Sequence, residues 1–485
     1  MPQAPTPITD PPPAAPQSPD PQRHAVVIAG AGVAGIAAAV RLAQAGVAVT
    51  LLETRRKLGG RATSFADART GLVLDNCQHV VLGCCTNYTD LLRRLGADGR
   101  IAWHREQYWV EPGGRTSVVR PSALPAPGHF GPSVLRARFL SLGQKLRLAR
   151  GMLAVLRADR ARWRADTFAQ FLHACGQGPG LIERFWEPVV VSACNLSVGR
   201  VSAAGALQVF QEGFLAHRDA AVMGVPTVPL VDLYAAAPGL IERAGGSVRL
   251  GVSVVGIDRD SVRIAAADGA QTLHARRVIS ALPPERLAEV ASDRLRAADP
   301  RIARLDGVGH SPIVGVHLMY DRPVMGTPHA VLVGSGTQWV FRKDPAGRAL
   351  HAVISGADEW TPLDEQQITR RVTADIAVYF PRAARATLEW SRPVKERRAT
   401  FRLEPGVEDA RPEVADPLDP RGLLIAGDFA RSGWPATMEG ATRTGYIAAA
   451  SALGVPERSL LAPDLAMAPL AGLLGLRTSP AGATA

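Results

Sequence analysis

The chain has 485 residues, of which 47% are hydrophobic and 20% are charged, and these proportions exclude a collagen-like, coiled-coil or wholly disordered protein. The length corresponds to about three domains, or to two if one of them is a large α/β unit. Lysine and arginine outnumber aspartate and glutamate by 55 to 44, and the net charge of +11 favours anionic partners such as phosphates or lipid headgroups.

The cysteines and the two ends of the chain indicate the cellular compartment of the protein. The five cysteines form neither a CxxC pair nor a dense framework, which is typical of a reducing compartment, so we expect a cytoplasmic protein without structural disulfides. Residues 1–22 include nine prolines and lack the features of a secretory signal, so we expect a disordered proline-rich tail. The apolar run at 465–476 is shorter than the ~20 residues that span a bilayer, so any membrane contact is expected to be peripheral.

The first predicted elements are a strand, a glycine-rich turn and a helix. Residues 25–29 are an uninterrupted apolar run, which predicts a parallel strand buried on both faces. Three glycines follow, and then a small-residue helix is predicted over 36–45. A second apolar run at 48–52 ends at Glu53. The order is that of a βαβ unit of the Rossmann type.

The glycine spacing predicts a dinucleotide site. Gly30 permits the tight turn, Gly32 lets the backbone approach a pyrophosphate, and Gly35 allows close packing of helix on strand. The N-terminus of the following helix offers N–H groups to the phosphates. Glu53, 18 residues beyond Gly35, is placed to accept hydrogen bonds from a ribose. The alternative is a glycine-rich turn that holds no ligand.

The pattern changes after the first hundred residues. From about 103 to 244, tryptophan, proline and arginine-rich helical patterns replace the glycine-punctuated α/β signal, so we expect a second domain. Strand patterns that return after 244 indicate that the first domain resumes there. Residues 300–405 mix strand-like alternation with one helix and are assigned to the second domain. The predicted strands lie at 245–250, 252–257, 277–282, 313–318, 330–333, 352–355 and 422–428, and the predicted helices at 365–380 and 438–453.

Two further motifs indicate which dinucleotide binds. Residues 55–64, RRKLGGRATS, resemble the arginine and double-glycine motif of the FAD-dependent amine oxidase and phytoene desaturase superfamily, in which this loop wraps the pyrophosphate and ribitol of FAD. The alternative is an ordinary basic surface loop. Near the other end, Gly427-Asp428 closes a strand and residues 434–441 read WPATMEGA. In that superfamily the Gly-Asp pair contacts the ribityl–phosphate arm, and the helix N-terminus faces the flavin, where its dipole stabilises the anionic reduced form.

The resemblance implies a fold class, a cofactor and a set of binding residues. The fold is expected to be α/β combined with α+β, in which a discontinuous Rossmann-type FAD-binding domain carries an inserted substrate domain of mixed sheet and helices. The expected boundaries are 1–22 for the tail, 23–102, 245–290 and 420–456 for the FAD-binding domain, 103–244 and 291–419 for the substrate and membrane-facing domain, and 457–485 for a C-terminal tail. The expected FAD-binding residues are Gly30, Ala31, Gly32, Val33, Ala34, Gly35, Glu53, Thr54, Arg55, Gly59, Gly60, Arg61, Val254, Gly427, Asp428, Thr437, Met438 and Ala441.

One segment indicates which group within the superfamily the chain resembles. Residues 75–83, DNCQHVVLG, resemble the Asp-Asn-Gly-Gln-His segment of the hydroxysqualene dehydroxylases, or squalene-associated FAD-dependent desaturases, of bacterial squalene and hopanoid synthesis. The resemblance covers 24 to about 455, and Cys77 replaces the glycine of the family, which would narrow the space beside the flavin. It implies removal of the allylic hydroxyl of a C30 isoprenoid by reduced FAD, and functional coupling to enzymes like squalene or phytoene synthase.

The chemistry implied by this resemblance needs a proton donor near the hydroxyl. His79 is the first candidate, because an imidazole can be cationic near neutral pH. Asn76 and Gln78 are expected to orient the hydroxyl. The alternative for each of the three is a side chain that only hydrogen-bonds a turn.

Three other functions compete with this interpretation. Amine oxidases of the superfamily place an aromatic residue directly before the Met-Glu-Gly motif, where this chain has Thr437. Phytoene desaturases also handle a long isoprenoid, and only the 75–83 segment separates the two classes. Rab GDP-dissociation inhibitors share the fold without flavin chemistry and carry lipids, but retention of Glu53, the double-glycine loop and Asp428 argues against such a carrier.

A basic stretch at 134–166 suggests where a lipid substrate would come from. It carries nine basic residues against two acidic ones, with a recurrent apolar face, and predicts either a surface for an anionic membrane or an ordinary helix packed on the second domain. Nucleic-acid binding is not expected, because stacking aromatics and recognition motifs are missing. No spacing suits a metal, so none is expected, and Cys84-Cys85 is interpreted as a pair of small buried residues rather than a redox pair.

Overall fold

The structure is a computed structural model that describes residues 24–266 and 269–477. The proline-rich tail predicted for 1–22 lies outside these residues. The strands are β1 His24–Ala29, β2 Val49–Glu53, β3 Ser64–Ala66, β4 Val73–Asp75, β5 Val81–Leu82, β6 Ile101–His104, β7 Gln107–Val110, β8 Thr116–Val119, β9 Met223–Pro226, β10 Ser247–Leu250, β11 Val254–Ile257, β12 Ser261–Ala266, β13 Gly269–Ser280, β14 His310–Tyr320, β15 His329–Leu332, β16 Trp339–Arg342, β17 Ala349–Ser355, β18 Leu388–Phe401 and β19 Leu424–Ile425.

The helices lie between these strands and at the end of the described chain. They are α1 Val33–Gln44, α2 Thr86–Arg94, α3 Gly131–Arg136, α4 Leu142–Arg157, α5 Phe168–Ala174, α6 Pro179–Leu181, α7 Glu187–Cys194, α8 Ala203–Phe210, α9 Ala237–Arg243, α10 Pro284–Val290, α11 Asp293–Ala298, α12 Pro300–Arg304, α13 Glu365–Tyr379, α14 Val407–Ala410, α15 Met438–Leu453 and α16 Pro469–Leu473. Two π-helical turns, Ile182–Trp186 and Gln211–Leu215, precede α7 and follow α8. Within 24–266 and 269–477, every helix is too short or too polar to cross a bilayer.

The first sheet is the predicted Rossmann-type sheet. Its strand order is β10-β2-β1-β13-β12-β11, and β19 also pairs with β13. The strands β10, β2, β1, β13 and β19 pair in parallel, whereas β12 pairs antiparallel with β11 and β13. The predicted βαβ unit is confirmed, and α1 begins at Val33 rather than at 36, because Gly32 is its extended N-cap residue. The carboxyl ends of β1 and β2 therefore meet the N-terminus of α1.

The second sheet is mixed, as expected. Its order is β18-β14-β17-β16-β15-β7-β8, with β15 and β7 in parallel and the other neighbours antiparallel. Helix α13 covers one face through Ile368, Val372 and Ile376, which share a core with β14 and β17. The 14-residue strand β18 was not predicted, because charged residues are scattered along its sequence and it contains no apolar run. Together the two sheets confirm the predicted fold class.

Two segments pack differently from what their predicted domains imply. One packs against the Rossmann-type sheet, and the other packs into the main hydrophobic core. Leu233, Tyr234 and Ile241 share a core with α1, although residues up to 244 were assigned to the second domain. The physical reason is that α9 leads directly into β10, which pairs with β2, so the helix crosses over the first sheet. In the predicted C-terminal tail, Ala471 and Leu476 are buried in the main hydrophobic core. The domain boundaries themselves stay predictions.

Candidate active site

A cavity of about 710 Å³ runs between the two sheets. One end lies at the carboxyl ends of β1 and β2, where it is lined by Gly30 and Glu53. The other end reaches α7 and α8, with Ser192 and Gln208 on its wall. Ligands of open α/β sheets bind at the carboxyl ends of the strands, so the first end suits a nucleotide and the second a further molecule.

The glycine turn has the geometry that a bound pyrophosphate requires. Gly30 has a φ of +102°, and a Cβ there would lie 2.7 Å from the carbonyl oxygen of Ala281. A Cβ on Gly35 would lie 1.9 Å from the carbonyl oxygen of Gly30, so helix α1 and strand β1 pack in contact at this point. A Cβ on Gly32 would meet no protein atom within 4 Å, and Gly32 lines the cavity. A side chain at position 32 would therefore enter the part of the cavity beside the N-terminus of α1, which we call the glycine cradle. It would leave the surrounding protein undisturbed.

The double-glycine loop joins the two ends of the chain. The amide of Gly59 donates a hydrogen bond to the carbonyl of Ala31 (2.9 Å), which holds the loop beside the glycine turn. The guanidinium of Arg61 pairs with the carboxylate of Asp428 and also donates to the carbonyl of Ala399 (2.7 Å). The motifs that sequence places near opposite ends of the chain therefore form one site.

The carboxylate of Glu53 is oriented by the backbone around it. One oxygen accepts a hydrogen bond from the amide of Ala31 and the other from the amide of Arg55, both at 2.9 Å. Each carboxylate oxygen has two lone pairs, so both remain able to accept a hydrogen bond from a ribose hydroxyl. Because Glu53 also lines the cavity, the predicted ribose contact is sterically open.

The N-terminus of α15 faces the cavity. Thr437 caps this 16-residue helix by accepting a hydrogen bond from the amide of Gly440 (3.0 Å), and Thr437, Met438 and Ala441 line the cavity wall. The neighbouring Glu439 also lines the cavity, but its buried carboxylate pairs with Arg443 (2.7 Å). The positive end of the α15 dipole therefore points into the cavity, which favours an anionic group there.

The structure places almost all of the predicted cofactor residues on the cavity wall. Ala31 and Gly35 are the exceptions, because Ala31 bonds Glu53 and Gly59 through its backbone and Gly35 packs on Gly30. Sequence reasoning missed Glu285, which follows β13 and lies at the same sheet edge; the position of its strand was the signal that could have found it. It also missed Glu212 and Glu396, which no local pattern marks. Direct FAD contacts for the individual residues stay predictions.

Three polar side chains of the 75–83 segment, Asn76, Gln78 and His79, line the cavity, whereas Asp75 does not. Asn76 Nδ2 donates to Glu396 Oε2 (2.8 Å) and to the carbonyl of Arg61 (3.2 Å). Gln78 Nε2 donates to the carbonyl of His79 (3.1 Å), and its Oε1 accepts from Lys343 Nζ (3.2 Å). Gln78 therefore hydrogen-bonds the local turn, which was the alternative to a role at the substrate, and it also lines the cavity. The segment is held rigidly by contacts to both halves of the protein.

The imidazole of His79 is mainly neutral at pH 7. Burial lowers its pKa below the ordinary 6.5, and the hydrogen bond to the carbonyl of Cys77 offsets only part of this effect. Its Nδ1 lies 3.0 Å from that carbonyl oxygen, so Nδ1 carries the proton and Nε2 is the acceptor in the neutral form. The expected cationic imidazole is therefore a minor species at pH 7, and its share rises as the pH falls.

Two glutamates of the cavity wall have pKa values shifted in opposite directions. Burial raises the pKa of Glu212 even though Arg160 lies 2.8 Å away. Burial would also raise the pKa of Glu285, but hydrogen bonds from His310 and Arg398 outweigh it and lower the pKa to about 2. Glu285 is therefore ionised at every ordinary pH, whereas Glu212 retains a proton more readily than an exposed glutamate.

Cys84 and Cys85 lie on the cavity wall with free thiols. Cys84 is buried, as predicted, whereas Cys85 is half-buried. A hydrogen bond with Cys85, together with burial, raises the pKa of the Cys84 thiol well above its ordinary value, so it stays protonated and unreactive. Within residues 24–266 and 269–477, no group of His, Cys, Asp and Glu side chains is arranged to hold a metal ion.

Comparison with known proteins identifies the family. A model of the family described as flavin containing amine oxidoreductase matches residues 33–453. The chain belongs to this family. It is an FAD-binding oxidoreductase, which confirms the predicted cofactor and disfavours a lipid carrier without flavin chemistry. The glycine cradle at Gly32, the Arg61–Asp428 pair and the N-terminus of α15 are the features predicted to bind the pyrophosphate, the linker and the flavin of FAD.

Two relatives resemble this flavoprotein over most of its length. Hydroxysqualene dehydroxylase of Rhodopseudomonas palustris is 27% identical over 438 residues, covering 87% of this chain and 97% of that protein. The 15-cis-phytoene desaturase of Narcissus pseudonarcissus is 25% identical and covers 90% of this chain and 80% of its own. These relatives support the predicted resemblance to the hydroxysqualene dehydroxylase group within the superfamily.

Solved structures of the flavoprotein family share the fold. Putrescine oxidase bound to putrescine superposes with a TM-score of 0.65 at 18% identity, over 89% of this chain and 99% of that one. Cyclohexylamine oxidase from Brevibacterium oxydans gives a TM-score of 0.64 at 18% identity with the same coverage. At such low identity the likeness shows the fold alone.

Proposed function

We propose that this flavoprotein removes the allylic hydroxyl group of hydroxysqualene and releases squalene and water. The observation that carries the proposal is the cluster of Asn76, Gln78 and His79 on the wall of the cavity that also contains the FAD cradle. Nearby wall residues such as Ile313 and Phe401 are apolar. The protein already bonds the amides of Asn76 and Gln78 and the Nδ1 of His79. A substrate can add a hydrogen bond to the remaining acceptor atoms, and an isoprenoid alcohol can donate one whereas a hydrocarbon such as phytoene cannot.

The reaction requires one hydride and one proton. The allylic C–O bond breaks, the hydroxyl oxygen takes the proton and leaves as water, and the resulting allylic cation accepts the hydride. When reduced, FAD supplies this hydride. The protein supplies the proton, and His79 is the candidate donor because it lines the cavity. Asn76, anchored by Glu396 and by the Arg61 carbonyl, orients the hydroxyl group.

A substrate experiment separates the proposed reaction from its nearest rivals. Photoreduced enzyme is incubated anaerobically with hydroxysqualene, and the products and the flavin absorbance are followed together. We expect squalene to appear in step with the return of oxidised flavin. Unchanged hydroxysqualene, together with desaturated product when the oxidised enzyme is given phytoene, would assign the enzyme to desaturation instead. Reduction of the oxidised enzyme by a primary amine would assign it to amine oxidation.

The lipid substrate requires a route from the bilayer, and we propose that the enzyme is a cytoplasmic protein that docks on the inner membrane face. Helix α4 packs through Leu148, Val155 and Leu156, which are buried. Its opposite side exposes Leu142 (71%) and Leu146 (61%), one helical turn apart. Exposed basic residues lie on α4 and in the segment just before it, at positions Arg136, Arg138, Arg147, Arg150 and Arg157. Coupling to enzymes like squalene synthase stays a prediction.

Replacing the exposed leucines tests this docking. The double variant Leu142→Glu with Leu146→Glu should sediment at least about fivefold less with anionic vesicles than the parent protein, because both apolar and electrostatic contacts weaken. The matched control is Leu418→Glu, which changes a leucine that is 89% exposed on another surface. Binding of the parent should also weaken as salt rises. Equal recovery of the parent with neutral and anionic vesicles would rule out the electrostatic part.

A further inference from the structure

Strand β18 contains a bulge where it passes the cavity. On β14 a single residue, Pro312, lies opposite residues 397–399 of β18. The flanking strand pairs are Ser311 with Thr400 and Ile313 with Glu396. Proline has no N–H group to donate to a neighbouring strand, which explains why regular pairing stops at this point. Bulges of this kind bend a strand and redirect its side chains, and they are common next to active sites.

The backbone of the bulge contacts the loop that is predicted to wrap FAD. The guanidinium of Arg61 donates hydrogen bonds to the carbonyls of Arg398 (3.3 Å) and Ala399 (2.7 Å). These carbonyls can accept them because residues in a bulge are left out of strand pairing. Arg61 also pairs with Asp428, so the bulge, the double-glycine loop and the end of β19 meet at one guanidinium.

The side chain of Arg398 reaches across to the other sheet. Its guanidinium pairs with Glu285 Oε1 (2.5 Å), and Glu285 Oε2 lies 3.0 Å from His310 Nε2. Glu285 is on α10, directly after strand β13 of the Rossmann-type sheet, whereas His310 and Arg398 are on β14 and β18 of the second sheet. The carboxylate of Glu285 therefore joins the two sheets between which the cavity runs.

This ion pair lies where the cavity opens to solvent. Glu285, His310 and Arg398 all line the cavity wall. The side chain of Arg398 is 63% exposed and that of Glu285 is 34% exposed, and an exposed side chain that also lines a cavity marks its opening. The low pKa of Glu285 keeps the carboxylate ionised at every ordinary pH, so the attraction to Arg398 persists.

The charges of the pair are compatible with an anionic cofactor. FAD carries a diphosphate, which is expected at the same edge of the Rossmann-type sheet as Glu285. An isolated carboxylate there would repel the diphosphate. The guanidinium of Arg398 offsets the charge of Glu285, so the carboxylate can hold the bulge without weakening the binding of FAD.

We propose that Glu285 and Arg398 form a clasp that retains FAD by holding the β18 bulge against the double-glycine loop. With the ion pair formed, the bulge carbonyls fix the guanidinium of Arg61 beside Asp428. Both residues of the clasp are therefore positioning residues that act on the cofactor through Arg61. The inference rests on the predicted contact of Arg61 with FAD and does not depend on the proposed dehydroxylation.

The rate at which the oxidised holoenzyme loses FAD tests the clasp. Glu285→Gln keeps the size of the side chain and removes its charge, and we expect FAD to dissociate about fivefold faster, the upper range for a partly exposed ion pair. Release is followed by the fluorescence of free FAD after dilution. The matched control is Glu365→Gln, because Glu365 pairs with Arg392 of the same strand (2.7 Å) but neither residue lines the cavity. An unchanged rate in Glu285→Gln, or an equal increase in the control, would overturn the proposal.

The salt dependence of FAD release separates the clasp from a merely structural role of Glu285. Added salt screens an exposed ion pair, so the parent protein should lose FAD faster as the ionic strength rises. Glu285→Gln has no such pair to screen and should show a weaker salt dependence, whereas Glu365→Gln should behave like the parent. Identical salt dependences in the parent and in Glu285→Gln would contradict the clasp.

A double-variant cycle shows whether the two residues act as one unit. Arg398→Gln should release FAD about as fast as Glu285→Gln, and the protein that carries both substitutions should be no faster than either single variant. Effects that multiply in the double variant would show that the residues act separately and would refute the clasp. Arg398 is largely exposed, so its replacement leaves the fold intact and the test does not depend on the Glu285 variant alone.

Discussion

Replacing His79 with glutamine is expected to slow single-turnover oxidation of the reduced enzyme by hydroxysqualene about 10²–10⁴-fold, because a positioned general acid contributes about that factor. FAD should stay bound, since His79 lies outside the glycine cradle and the Arg61–Asp428 pair. The measurement is the rate at which oxidised-flavin absorbance returns under anaerobic conditions. His173→Gln, an exposed histidine on α5, is the control and should react at the parent rate.

The same role of His79 predicts the direction in which the rate changes with pH. Burial lowers the pKa of His79, so at pH 7 only a minor fraction of the enzyme carries the reactive proton. The rate of the parent enzyme should therefore rise as the pH falls below 7 and level off once the pH is below the pKa of His79. The glutamine variant has no such group and should lose this rise.

An unchanged rate in the His79 variant would show that His79 has a structural role and is not the proton donor. The donor would then have to be sought elsewhere in the cavity, and Glu212 is the next group to replace, because burial raises its pKa. A water held by Asn76 and Gln78 is the other source. If a deuteride carried by the reduced flavin never appears in squalene, the hydride transfer itself is wrong.

Replacing Gly32 with valine is expected to abolish FAD binding in a protein that still folds. A Cβ at this position meets no protein atom within 4 Å, so the fold has room for it, and the backbone there is extended with φ −71° and ψ 179°. The side chain would instead occupy the space that the pyrophosphate needs beside the helix N-terminus. We expect the affinity for FAD to fall at least about 100-fold, equivalent to about 2.7 kcal/mol.

The flavin content of the purified protein and its melting temperature measure this effect together. Gly99→Val serves as the matched control, because a Cβ on Gly99 also meets nothing within 4 Å but Gly99 is not part of the cavity wall. The control should stay fully yellow. A Gly32→Val protein with a parent-like melting curve and full flavin absorbance would contradict the assignment of the cradle.

Local sequence patterns determined the nucleotide-binding half of this protein. The apolar run, the three glycines and the acidic residue at 53 predict β1, α1 and β2, because turn chemistry and hydrophobic period act over a few residues. Motif resemblance added the loop around Arg61 and the strand that ends at Asp428. The polar segment at 75–83 was singled out in the same way, and the structure brings it to the cavity wall.

The tertiary structure decided everything that depends on contact between distant residues. Arg61 meets Asp428 across 367 positions, and Asn76 meets Glu396 on β18, a strand whose charged sequence carries no apolar run. Neither contact has a local signature, because strand pairing and packing set it. The same holds for protonation: His79 was expected to be cationic from its residue type, but burial keeps it mainly neutral at pH 7. The ion pair of Glu285 with Arg398 likewise joins α10 to β18 across 113 positions and has no local signature.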